Sequence, residues 1–137
     1  MSQQQKATQG FPSVPKKITA ATWSALSVMA MGGLAEVYKA IGDERAIDLF
    51  ENIIRILTAS KGANDPGVIS SYYHLADIYE ALKDYDKAAT CYFTIIRSLE
   101  EQYGIHYWQL SSIYNNLGLV YARSGKLAEA ENAYRHS

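Results

Sequence analysis

Between residues 66 and 82 the apolar side chains Val68, Tyr72, Leu75, Tyr79 and Leu82 recur at steps of three and four, while Ser70, Tyr73, Asp77 and Glu80 make a second, mostly polar stripe. This is the spacing of an α-helix that buries one side. Asp65 can cap its first turn, and Pro66 suits the first helical position, where a missing N–H costs nothing. After the short turn "KDYD", Ala88, Cys91, Tyr92, Ile95 and Leu99 repeat the helical spacing as far as Gly104, a helix-terminating residue. Two helices joined by so short a turn pack antiparallel. The middle of the chain therefore reads as a helix pair, A followed by B.

The pair recurs. A Leu-small-x-x-Tyr pattern occupies Leu34, Ala35 and Tyr38, then Leu75, Ala76 and Tyr79, then Leu117, Gly118 and Tyr121, at offsets of 41 and 42 residues. In the B helices, Ala46 and Phe50 match Ala88 and Tyr92, and these match Ala130 and Tyr134. Several residue types in one phase over three copies define a repeat array in which each pair covers the apolar face of the next. The expected core is Leu34, Tyr38, Leu75, Tyr79, Leu117 and Tyr121. Small residues at Ala76, Ala88, Gly118 and Ala130 let helices approach while aromatic rings fill the space beside them. The Tyr hydroxyls are expected to reach backbone or water.

Leu117, Gly118, Tyr121, Ala130 and Tyr134 resemble the tetratricopeptide repeat pattern, and the 42-residue period resembles its kinesin light chain subtype. The similarity runs over residues 24 to 137 and is closest in "NNLGLVYARSGKLAEAENAY" and "GANDPGVISSYYHLADIY". It implies an all-α fold of three antiparallel helix pairs stacked as a right-handed solenoid, with repeats near 24–64, 65–106 and 107–137, and a scaffold or adaptor role in the cytoplasm. The first copy departs most, carrying Gly32 and Gly33 in mid-helix at about 1 kcal/mol each relative to Ala.

Composition narrows the function. Thirteen basic and fourteen acidic residues give a net charge of -1, which supplies no basic field for nucleic acid. The lone Cys91 rules out an internal disulfide framework. Eleven tyrosines are the compositional oddity, and the repeat absorbs them.

Nothing in the pattern assembles an active site. His74, His106 and His136 are scattered, and His74 with Asp77 is one surface polar pair rather than the three or four ligands a metal needs. Cys91 falls on the inward side of a helix, with no His or carboxylate placed to activate it. Gly32 and Gly33 follow no strand and lack phosphate-loop spacing. The paired carboxylates Asp43 and Glu44, Asp84 and Asp86, and Glu100 and Glu101 sit at turns or helix ends, on solvated faces. The expectation is a non-catalytic chain without cofactor or metal.

The A helices are expected to line the inner surface of the stack. By phase this surface carries Glu36 and Lys39 from copy one, Tyr73, Asp77 and Glu80 from copy two, and Asn115, Leu119 and Arg123 from copy three. The resemblance implies that Asn115 and Asn116 grip a peptide main chain, since each amide offers donor and acceptor. Asp77 and Glu80 make the centre acidic, which favours a neutral or basic protein segment. The alternative is a structural subunit of a larger assembly, held through the first helix and the end of the last.

Both ends of the chain carry expectations of their own. Residues 1–18 are polar, hold two of the three prolines and read as a flexible tail. From Ile18 to Ala35 no residue is charged, and Lys16 and Lys17 precede the stretch. A secretory or organelle-import signal is one reading of residues 1–35; an apolar first A helix, in phase with Leu34, Ala35 and Tyr38, is the other. Thr19, Thr22, Ser24, Ser27, Gly32 and Gly33 dilute it below the ~20 predominantly apolar residues of a membrane span. The B helix of copy three spans only Leu127 to Ser137, so the third pair is expected to expose apolar surface at Leu127 and Tyr134, for self-association or a larger complex.

Overall fold

The computed structural model of the chain describes residues 27–137. The polar tail over residues 1–18, the stretch as far as residue 26 and most of the possible targeting signal lie outside the described residues. Within them are six α-helices and no strand: α1 (Val28–Ile41), α2 (Arg45–Lys61), α3 (Pro66–Ala81), α4 (Tyr85–Tyr103), α5 (Gln109–Arg123) and α6 (Leu127–His136). Each helix packs on the one before and the one after it in the chain, so the three pairs stack in order. No helix among the described residues is long and apolar enough to cross a membrane.

Local chemistry sets the helix limits. The Ser27 hydroxyl accepts from Ala30 N at 3.2 Å and caps α1, and the Asp65 carboxylate accepts from Gly67 N at 2.9 Å with Pro66 beside it at the start of α3. The three A helices end alike. The N–H of Asp43, Asp84 and Lys126 donates to the carbonyl of the repeat tyrosine, Tyr38, Tyr79 and Tyr121, at 2.8, 2.8 and 2.9 Å. This closure needs a left-handed residue just before the donor. Gly42 and Gly125 supply it at φ +74° and +82°, but in the middle repeat Lys83 takes the position at φ +61°.

The core follows the repeat phase with two exceptions. Tyr38, Leu75, Tyr79 and Leu117 are buried, whereas Leu34 and Tyr121 are only partly buried against the core. In α1 the deepest side chains are Met31 and Ala35. Leu82, expected on the buried stripe of α3, is the residue after its last turn and is exposed. In α4 the inward set Ala88, Cys91, Tyr92, Ile95 and Leu99 is buried, and so are Ala89 and Ile96. A B helix inside the stack is covered twice, by its own A helix and by the next one.

Three Tyr hydroxyls meet carboxylates, partners that the sequence did not suggest. Tyr79 Oη donates to Glu51 at 3.4 Å, Tyr92 Oη to Glu80 at 3.3 Å and Tyr114 Oη to Glu100 at 3.3 Å. Each bond joins one helix to its predecessor, so the phenol tip meets a carboxylate at the rim of the core while the ring fills its interior. Burial, helped by Glu51, pushes the Tyr79 phenol up to about 12, and burial with Glu80 raises Tyr92 further.

Candidate protein-binding surface

Of the residues that phase analysis assigned to the inner surface, Lys39, Asp77, Glu80 and Arg123 are joined across α1, α3 and α5 by side-chain contacts. Lys39 Nζ of α1 lies 2.9 Å from Asp77 Oδ2 of α3. Arg123 Nη1 of α5 lies 3.3 Å from Glu80 Oε1 of α3. A third bridge, Lys126 to Asp86 at 2.9 Å, ties the last turn to α4. Repeats are thus stitched at their turn ends by opposite charges.

These pairs correct the electrostatics read from sequence. Asp77 and Glu80 do not form an unmatched acidic centre, because each carboxylate meets a cation from a neighbouring repeat. The cations come from positions 38 and 43 residues away, a separation that phase along a single helix does not reveal.

His74 is built into the first of these clusters rather than forming a surface pair with Asp77. Its ring stacks on Phe50 of α2 with centroids 4.7 Å apart, Nδ1 is 3.0 Å from Lys39 Nζ, and Nε2 is 3.7 Å from Glu36 Oε1. Lys39 therefore bridges Asp77 and His74. An ammonium can donate to Nδ1 only while the imidazole is neutral, with its proton on Nε2 facing Glu36. Burial first, then the charge of Lys39, holds the imidazole below its ordinary range.

Tyr73 is half-buried at the centre of the face, its ring edge-on to Tyr92 at 6.5 Å. Asn115 is exposed and Asn116 half-buried on α5, and their amides make no hydrogen bond among the described residues. Leu119 stays open on the same helix at 39% exposure. The face is thus of two kinds. Toward the turns it carries the ion pairs Lys39–Asp77 and Arg123–Glu80, with Glu36 beside the neutral His74 ring. Elsewhere it offers amides, an aromatic ring and an aliphatic side chain with unused capacity.

The other candidates for chemistry are placed as follows. Cys91 is buried, and its thiol is pushed up to about 11 by burial and by Glu51, the opposite of an activated nucleophile. His136 stacks on Tyr114 at 4.8 Å, and His106 is exposed between α4 and α5. No group of three or more potential metal ligands occurs among the described residues. Sequence reasoning missed an exposed cluster beside His106, formed by Tyr103, Ile105 and Trp108. Its signal was present in "GIHYW" at 104–108, where the preceding repeat junction reads "GANDP" at 62–66.

No curated protein matches the chain closely enough to count as a relative. Two tetratricopeptide repeat profiles match it, one over residues 25–99 and the other over residues 110–137. Together with the stacked helix pairs, this places the chain in the tetratricopeptide repeat family.

Proposed function

We propose that the chain is a non-catalytic protein-recognition module that holds a peptide or protein segment along the face formed by α1, α3 and α5. The observation that carries this reading is the unused hydrogen-bonding capacity of Asn115 and Asn116 on a face where Lys39, Asp77, Glu80 and Arg123 are paired with one another. Two adjacent amides can exchange hydrogen bonds with a main chain whatever its side chains. Tyr73 and Leu119 supply apolar contact area beside them. Pairing of Asp77 and Glu80 removes the ground for strong charge selection, so a neutral segment fits the face best.

Peptide display against the full chain tests the proposal. Asn115→Ala with Asn116→Ala should weaken retained peptides at least about tenfold, the loss of about 1.4 kcal/mol or more that follows from removing polar contacts to a buried main chain. Failure of any peptide to enrich, or enrichment indifferent to these substitutions, sinks the reading.

A second reading has its own observation. Met29, Val37 and Ile41 form an exposed apolar stripe on α1, at 88%, 56% and 68% exposure. Such a stripe suits a structural subunit held in a larger assembly. Light scattering across concentration distinguishes the two, since obligate association through α1 would be lost in Val37→Asp.

A further inference from the structure

The segment between α4 and α5 departs from its counterpart one repeat earlier. Forty-two residues upstream of Tyr103, Ile105, Tyr107 and Trp108 stand Lys61, Ala63, Asp65 and Pro66. There Asp65 caps α3 and Pro66 opens it; at the start of α5 Trp108 occupies the cap position and no side chain bonds the first turn. Good capping residues have given way to large aromatic ones. Tyr107 is partly buried against the core, whereas Tyr103 is 58%, Ile105 71% and Trp108 75% exposed. Exposed rings where a local rule is broken are the mark of residues kept for contact with something else.

Tyr103 and Tyr107 border a groove of about 300 Å³ between α3 and the α4–α5 junction. Their rings stack at 4.3 Å along its edge and Tyr73 lines the wall, while Trp108, 6.0 Å from Tyr107, lies outside the groove beside Ile105 and His106. Among the described residues no charged side chain lines it: its polar groups are Asn64, Ser70, the Tyr phenols and the amides of Gln102 and Gln109. The hydroxyls of Tyr73, Tyr103 and Tyr107 and the amide of Gln109 have no hydrogen-bond partner among the described residues.

A cationic ligand would need a carboxylate in that lining, and an anionic one a Lys or Arg. An amphipathic helix satisfies its own backbone and would leave the free donors unused. An extended proline-rich segment matches on every count. Its flat pyrrolidine rings pack on aromatic faces, its carbonyls point outward without internal partners, and it brings no charge.

We propose that the groove at the α4–α5 junction is a docking site for an uncharged, proline-rich segment of a partner protein in polyproline II conformation. It rests on the wider reading that the array binds protein segments, and it assigns one such segment to a place beside the Asn115 and Asn116 face.

The test titrates the ¹⁵N-labelled full chain with decaproline, and in parallel with a ten-residue alanine-rich helical peptide. Saturable shifts should cluster at residues 103–109 and Tyr73 with decaproline alone. Tyr103→Ala and Tyr107→Ala should each weaken binding at least about tenfold, as expected for aromatic anchors. Tyr107→Phe should weaken it about two- to fivefold by removing a donor. Tyr103 is exposed enough that its replacement should leave the fold intact, which the unperturbed remainder of the spectrum verifies. No saturable shift at these residues, equal binding of the helical peptide, or full affinity in Tyr103→Ala overturns the proposal. If decaproline fails while displayed peptides still depend on Asn115 and Asn116, only this groove assignment falls; if both fail, the recognition reading falls with it.

Discussion

The ring of Tyr134 occupies the space that a β-carbon on Gly118 would need: such an atom would stand 2.7 Å from Cε1 and 2.8 Å from Cδ1 of that ring. This contact closes the third helix pair. It also explains why the small position of the third repeat is Gly where the other two have Ala. Gly118→Ala gains about 1 kcal/mol of helix propensity but forces the ring aside, an overpacking cost of about 1–3 kcal/mol. The expected net effect is a lower melting temperature and faster amide exchange in α6. In a Tyr134→Ala background the same substitution should instead stabilise, and a thermal double-mutant cycle reads the change of sign. Equal effects in both backgrounds would show that the ring is not what Gly118 accommodates.

Leu75 is 3% exposed at the centre of the stack. Leu75→Ala should cost about 2–5 kcal/mol by denaturant titration. Because α3 packs on both α2 and α4, amide protection should fall in all three helices and not only around residue 75. An unchanged midpoint would mean that the core phase has been misassigned.

Lys83 holds the left-handed position that Gly42 and Gly125 fill in the other repeats. An L side chain there is strained by roughly 1 kcal/mol. Lys83→Gly should therefore raise stability by up to about 1 kcal/mol despite the extra entropy of Gly in the unfolded chain. Lys83→Ala keeps a β-carbon and should show no such gain, so calorimetry on the two variants separates backbone strain from loss of charge.

His74 predicts how stability changes with pH. Its imidazole is held below its ordinary range by burial and by Lys39, so the unfolded chain binds a proton more readily than the folded one. Stability should accordingly be full above about pH 6.5 and fall as pH drops from there toward the lowered folded value. Phe at position 74 keeps a ring against Phe50 but cannot titrate. Thermal melts between pH 7.5 and 5.5 should show a smaller acid loss in His74→Phe than in the native chain. An identical loss would assign the effect to the carboxylates.

Lys39 and Asp77 form an ion pair with the Asp77 side chain 57% exposed. A double-mutant cycle should return a coupling below about 1 kcal/mol, shrinking further in 0.5 M salt. A larger, salt-insensitive coupling would mean that the bridge, rather than the apolar stack, joins the first two repeats.

The helices, their order and the turn after each A helix were legible in sequence because each depends on residues within about one helical turn of one another. The spacing of Val68, Tyr72, Leu75 and Tyr79 specifies which side of α3 faces inward, and Asp65 with Pro66 marks where it starts. The recurrence of that pattern is enough to order the pairs, since a helix pair with one bare apolar face has only its neighbours to cover it. What the stack alone decided concerns side chains that meet across repeats. The second buried side of α4, with Ala89 and Ile96, exists because α5 lies there. Tyr79, Tyr92 and Tyr114 reach Glu51, Glu80 and Glu100 across 28, 12 and 14 residues, and Lys39 and Arg123 cancel charges that looked free along α3. Periodicity shows which side of a helix a residue occupies, whereas the partner of a long polar side chain depends on how two helices approach, and that distance is set by the packing of the whole core.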